Sequence, residues 1–167
     1  LPSLLVKQGY TIVQSFEYVL IMILAQLPGY VAAAWLVEKL GRKATLAGFI
    51  GMCAVSAYFF GQADTVNMIM FWGCLMSFFN LGAWGVLYTY TPEQYPTNIR
   101  AFGSGWASAI GRMGGIVAPI VVTHMMVMNN GFSHVFTMFT AVLLAVALVI
   151  LVLGEETKGK TLESMGL

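Results

Sequence analysis

Five long stretches of this chain carry almost no charge, and each is long enough to cross a bilayer as a helix. They run from Ser15 to Val37, Ala44 to Gly61, Asn67 to Tyr90, Ala101 to about Met128, and Ser133 to Leu153. The hydrocarbon core of a membrane takes about 20 apolar residues per helix. Backbone groups in lipid must be satisfied within their own segment, so glycine-dotted runs of this length read as helices rather than barrel strands. Leu1 to Val6 reads as the end of a sixth helix. The predicted fold is an all-α membrane protein with five complete transmembrane helices plus a partial one.

Composition supports this and excludes several function classes. Of 167 residues, 59% are hydrophobic and 9% charged, against roughly 25% charged in an ordinary soluble domain. A soluble enzyme's solvated shell cannot be built from so few charges. Eight Lys and Arg against seven Asp and Glu leave no basic face for a nucleic-acid backbone. Cys53 and Cys74 lie inside apolar runs, in no CxxC pattern, and read as packing residues. His124 and His134 are single and near one surface, so no metal or other cofactor is expected.

Basic residues set the orientation. Lys39, Arg42, Lys43, Arg100, Lys158 and Lys160 fall on one side of the predicted bundle, and Lys7 alone on the other. The positive-inside rule places the first group, and the C-terminal tail, in the cytoplasm.

Polar residues inside the spans are the candidates for a ligand site. Arg112 falls near the middle of the fourth span. An arginine at bilayer centre costs roughly 2.5–3.5 kcal/mol even on insertion scales, so it must face a cavity, a partner or a carboxylate. No acid lies mid-membrane in this chain, so its counter-charge comes from outside the chain, from water, or from an anionic substrate. A guanidinium fork suits a carboxylate. Ser104, Ser108 and Arg112 recur every fourth residue on one helical face. Asn80, Trp84 and Tyr88 do the same on the third span; the stripe reads either as ordinary helix packing with an interfacial Tyr or as an amide with two aromatics that suits a ring-shaped ligand. Gln26 precedes Pro28-Gly29 mid-span, where a kink or a break is expected. Gly111 and Gly115 form a GxxxG suited to close helix packing. There is no nucleophile–base pair at membrane depth, so the chain is not expected to be an enzyme.

Three mixed-charge segments fall on the predicted cytoplasmic side. They are Glu38-Lys39-Leu40-Gly41-Arg42-Lys43, the stretch from Glu93 to Arg100, and Glu156-Thr157-Lys158-Gly159-Lys160-Thr161-Leu162-Glu163. Together they form a candidate ionic lattice of Glu38, Arg42, Lys43, Glu93, Arg100, Glu156 and Lys158. Several weak pairs acting together bias one packing of a bundle over another.

These segments resemble the major facilitator superfamily, in its sugar-porter and organic-ion-transporter branch. The first matches that family's Asp-[Arg/Lys]-x-Gly-Arg-[Arg/Lys] loop, with Glu38 in the Asp place. The second matches its Glu-x6-Arg motif. The third matches its Glu-Thr-Lys-Gly tail, with Glu155 where proline is usual, and Ala34 replaces the family's first glycine. The resemblance implies that residues 1–167 are the C-terminal transmembrane bundle of a larger transporter, helices 8 to 12 with the end of helix 7. It implies an N-terminal half as partner and transport by alternating access. Leu27-Pro28-Gly29-Tyr30, the run from Ser77 to Gly85, and the run from Tyr90 to Thr97 resemble bacterial carriers of niacin within that family. The expected partners are therefore the lipid bilayer, the N-terminal half, and a small organic anion such as nicotinate bound by Arg112, Asn80, Trp84, Tyr88, Gln26 and Ser108. A sugar or aromatic-acid porter is the alternative, and a ligand-binding protein that does not transport is the third reading. The neutral, amide-rich sites of sugar porters fit poorly with a central arginine.

Overall fold

The computed structural model describes residues 11–127 and 131–156, and every element in them is a helix. In chain order these are α1 (Ile12–Leu24), α2 (Gln26–Leu40), α3 (Arg42–Gly61), α4 (Val66–Glu93), α5 (Arg100–Val127) and α6 (Gly131–Leu153). Taking α1 and α2 together, five helical spans among the described residues are long and apolar enough to cross a membrane. The chain is a multi-pass membrane protein. Leu1 to Val6, Lys158 and Lys160 lie outside the described residues.

The first span carries the interruption expected near Gln26 and Pro28: it is two helices meeting at Ala25. Pro28 has no N–H to offer the Leu24 carbonyl, so the hydrogen-bond ladder lapses one turn before the proline. The N–H of Ala25 still reaches the Ile21 carbonyl at 3.1 Å, which keeps the two halves in sequence. Thr11 starts α1 with a capping box: its hydroxyl accepts from the Gln14 N–H, and the Gln14 side chain accepts from the Thr11 N–H. Thr65 caps α4 with its hydroxyl alone, which accepts the Met68 N–H.

The packed body consists of α2, α3, α4 and α6, with α4 at its centre against α2 and α3, and α6 laid along α3. Lipid gives helices no hydrophobic reason to associate, so close packing of small residues and interhelical hydrogen bonds must do it. Both are visible. The Gly29 Cα sits against the Phe78 backbone, where a Cβ would collide with the carbonyl oxygen. The Phe49 ring covers Gly82, and the Met22 methyl covers Gly73. Thr140 Oγ1 on α6 donates toward the Ala54 carbonyl on α3 at 3.1 Å, sharing its proton with Phe136 O at 2.9 Å. One apolar cluster joins Leu46, Phe49, Ile50, Ala83 and Val86; another joins Met22, Ala57, Phe60, Ile69 and Phe136 toward the opposite end.

Helix α5 is the exception. Near its start the Tyr95 ring, from the turn after α4, covers Gly103, and near its end Gly131 of α6 abuts Met125 and Met126. Between these points its side chains are exposed, and Gly105, Gly111, Gly114 and Gly115 have open space where a Cβ would stand. The GxxxG face is therefore uncovered among the described residues.

Candidate functional site

The charged end of the bundle is built on Gly41. The segment expected as a six-residue loop is almost wholly helical: Glu38, Lys39 and Leu40 finish α2, Arg42 and Lys43 begin α3, and Gly41 alone turns the chain. Gly41 has φ 96° and ψ 169°, a conformation essentially reserved for glycine. Two cations in the first turn of α3 oppose the positive end of its helix dipole. Glu156 offsets this from the far end of the chain. Its Oε1 accepts the Arg42 N–H at 3.0 Å, and its carboxylate fills the space beside Gly41. Arg42 Nε lies 3.3 Å from Glu93 Oε2. Arg42, Glu93 and Glu156, expected as members of an ionic lattice, do meet.

The rest of that lattice is arranged differently. Glu38 is exposed on the last turn of α2 and forms no ion pair among the described residues; the carboxylate at a helix N-terminus is Glu156. Arg100 turns to the backbone, donating from Nε to Pro92 O at 3.0 Å and from Nη2 to Thr97 Oγ1 at 3.5 Å. Lys43 is half-buried in the first turn of α3. Lys39 lies over the Trp35 ring, 3.9 Å from its centroid, as a cation–π pair. Sequence reasoning passed over Tyr90 and Gln94. The Tyr90 hydroxyl donates to Glu155 O at 2.8 Å, Gln94 Nε2 donates to the same oxygen at 3.2 Å, and the Glu155 N–H returns to Gln94 Oε1 at 3.4 Å. These bonds clamp the end of α6 to the end of α4 and so deliver Glu156 to α3. The usable signal was the four-residue spacing of Tyr90 and Gln94, which puts both on one helical face.

Near mid-span lies a cavity of about 210 Å³. Leu46, Ile50 and Cys53 wall it from α3, Asn80, Ala83, Trp84 and Leu87 from α4, and Leu143 from α6. Asn80 and Trp84 thus share one cavity, as their spacing suggested. Tyr88 is not in its wall, but its ring lies 5.5 Å from that of Trp84, tilted by 37°. The α3 wall was not foreseen, although residues 46, 50 and 53 have helix-face spacing. Gln26 is half-buried at the start of α2 and lies outside the cavity wall.

Arg112 lies near the midpoint of α5, about 18 Å along from Arg100 at 1.5 Å per residue. Its side chain is exposed, and no carboxylate among the described residues pairs with it. Ser108 is exposed beside it, whereas Ser104 turns its hydroxyl to Arg100 O at 2.6 Å. Arg112 and Ser108 do not line the Asn80 cavity. Within the described residues, the two halves of the expected ligand site are separate: a neutral cavity on the packed body, and a cation on an uncovered helix.

Residues 10–166 match the Major Facilitator Superfamily model, nearly the whole chain. The chain belongs to the major facilitator superfamily. Among this family's members it is similar to the niacin transporter NiaP of Acinetobacter baylyi, with 84% identity across the full chain and 38% of that protein. A Bacillus subtilis protein described as a candidate niacin/nicotinamide transporter is 56% identical over 98% of the chain and 41% of its own length. An organic cation/carnitine transporter of Arabidopsis thaliana is 29% identical over 89% of the chain. The chain spans about two-fifths of the length of the two bacterial relatives.

Proposed function

We propose that this chain is the C-terminal bundle of a secondary transporter that carries a small organic anion, nicotinate or a close analogue, across the bacterial plasma membrane by alternating access. The observation that carries this reading is Arg112. A guanidinium at mid-membrane depth cannot face lipid without large cost, and among the described residues it has neither a carboxylate nor a covering helix. A companion N-terminal half would cover α5, using the open Gly111–Gly115 face, and would leave Arg112 on a wet crevice between the halves. There it would take the substrate carboxylate in a bidentate grip. Asn80, Trp84 and Tyr88 would meet the ring. The similarity to proteins named for niacin transport supports the choice of anion.

The end formed by Gly41, Arg42, Glu93 and Glu156 is the cytoplasmic end in this reading, on the side where basic residues collect. It is a latch: one conformation keeps the Arg42 contacts and the other releases them. The substrate leaves chemically unchanged, so the protein is a carrier and not an enzyme. Uptake of labelled nicotinate into proteoliposomes holding the full-length protein tests the proposal. Nicotinate and related aromatic acids compete, and hexoses do not. Competition by hexoses but not by aromatic acids would instead make the protein a sugar porter. Ligand binding without any counterflow would make it a non-transporting relative.

A further inference from the structure

The cavity between α3, α4 and α6 has walls that do not match an anion. None of its eight lining residues is charged. Its sides are aliphatic, from Ile50 and Leu143, with the Cys53 thiol deep in the wall and Trp84 and Asn80 nearer the mouth. The Asn80 amide offers a donor and an acceptor, and neither is used by another group among the described residues. An apolar protein cavity of about 150 Å³ is enough to bind benzene, so about 210 Å³ holds one six-membered ring and a small substituent. Asn80, Cys53 and Leu143 all fall near the middles of their helices, which sets the cavity at the depth where Arg112 also lies.

We propose that this cavity binds one uncharged nitrogen heteroaromatic ring, of the pyridine class, with Asn80 hydrogen-bonding the ring nitrogen or a neutral substituent and Trp84 bordering the ring. The cavity reads the ring and not the acid. Desolvating a carboxylate against these walls would be costly, so preference for acid over amide resides in Arg112, outside it. A neutral pyridine carboxamide therefore occupies the cavity without help from Arg112. A lipid tail would leave the Asn80 amide unpaired. The inference rests on the carrier reading only in taking this ring to be that of the carried substrate.

Cys53 is a reporter built into the wall. In the full-length protein in detergent, its alkylation by N-ethylmaleimide is followed by peptide mass spectrometry, with Cys74 as internal control. Nicotinamide at ten times its dissociation constant is expected to slow Cys53 alkylation about tenfold, as occupancy by mass action requires, and to leave Cys74 unchanged. Asn80→Leu abolishes this protection. Arg112→Ala abolishes protection by nicotinate and spares protection by nicotinamide. An unchanged Cys53 rate, or loss of nicotinamide protection in Arg112→Ala, overturns the proposal. If the reagent does not reach Cys53 at all, the difference in fluorescence between the wild type and Trp84→Phe decides. Nicotinamide quenches that Trp84 component, or the proposal fails. Uptake of nicotinate without Cys53 protection removes the cavity site alone. Protection without uptake removes the carrier reading and keeps the site.

Discussion

The backbone N–H of Arg42 and the carboxylate of Glu156 are joined at 3.0 Å across 114 residues of sequence, and Gly41 leaves the room in which they meet. A helix that begins with two cations is thereby capped by an acid from the end of the last helix. The contact links α3 to α6, and the Arg42–Glu93 pair links both to α4. Three helix ends are tied at one point.

Replacing Gly41 by alanine attacks this point twice. The backbone conformation there costs a non-glycine residue about 1–3 kcal/mol, and the new Cβ would lie 2.6 Å from Glu156 Oε2. Gly41→Ala is expected to lower the melting temperature of the full-length protein in detergent by several degrees. No change in melting temperature would mean that Glu156 is not seated there.

Glu156→Gln retains an acceptor for the Arg42 N–H, and Glu156→Ala does not. The alanine variant should lose about 0.5–2 kcal/mol, the usual worth of a helix N-cap, with the glutamine variant between it and the wild type. Denaturant or thermal titration of the two variants checks the order.

Glycines in this chain divide into two groups with opposite expectations. At Gly29 an alanine Cβ would meet the Phe78 carbonyl backbone, which cannot rotate aside. Gly29→Ala should cost about 1–3 kcal/mol, the range for overpacking. Gly114 has open space within this chain. An uncovered Gly114 would tolerate alanine and gain about 1 kcal/mol of helix propensity. Covered by a companion bundle, it would instead be destabilised. Loss of stability for Gly114→Ala in the full-length protein is the expected result, and a gain would leave α5 facing lipid.

Thr140→Val removes the α6-to-α3 hydrogen bond while keeping shape. Interhelical hydrogen bonds in membranes average about 0.6 kcal/mol, with a maximum near 1.7, so a small loss is expected. An unfolding titration resolves it, and a loss of several kcal/mol would point to a larger network than Thr140–Ala54.

The five spans were legible in the sequence because apolar length is a local property. The approach of Arg42, Glu93 and Glu156 was legible as well, through side-of-membrane parity and motif resemblance. The interruption of the first span was legible from Pro28, and it falls at Ala25 because the proline acts one turn upstream. What escaped was tertiary. Glu38 and Glu156 are both acids at this end of the bundle, and the Tyr90–Glu155 and Gln94–Glu155 clamp is what seats Glu156 on the Arg42 N–H. The Asn80–Trp84 stripe was visible as a face, but which helices wall it was not. Leu46, Ile50, Cys53 and Leu143 look like any other packing residues until α3 and α6 are laid against α4. Arg112 stands apart: its place in the middle of an apolar run is a sequence fact, and no carboxylate among the described residues pairs with it.

Counterflow of labelled nicotinate in proteoliposomes, comparing the full-length wild type with Arg112→Ala and Arg112→Lys at equal reconstituted amounts, tests the central claim most directly. Truncating one member of a buried charge pair costs about 2 kcal/mol or more. Arg112→Ala should therefore weaken nicotinate counterflow at least about 30-fold, with Arg112→Lys restoring part of it because the charge returns without the fork. Undiminished nicotinate counterflow in Arg112→Ala would contradict the account.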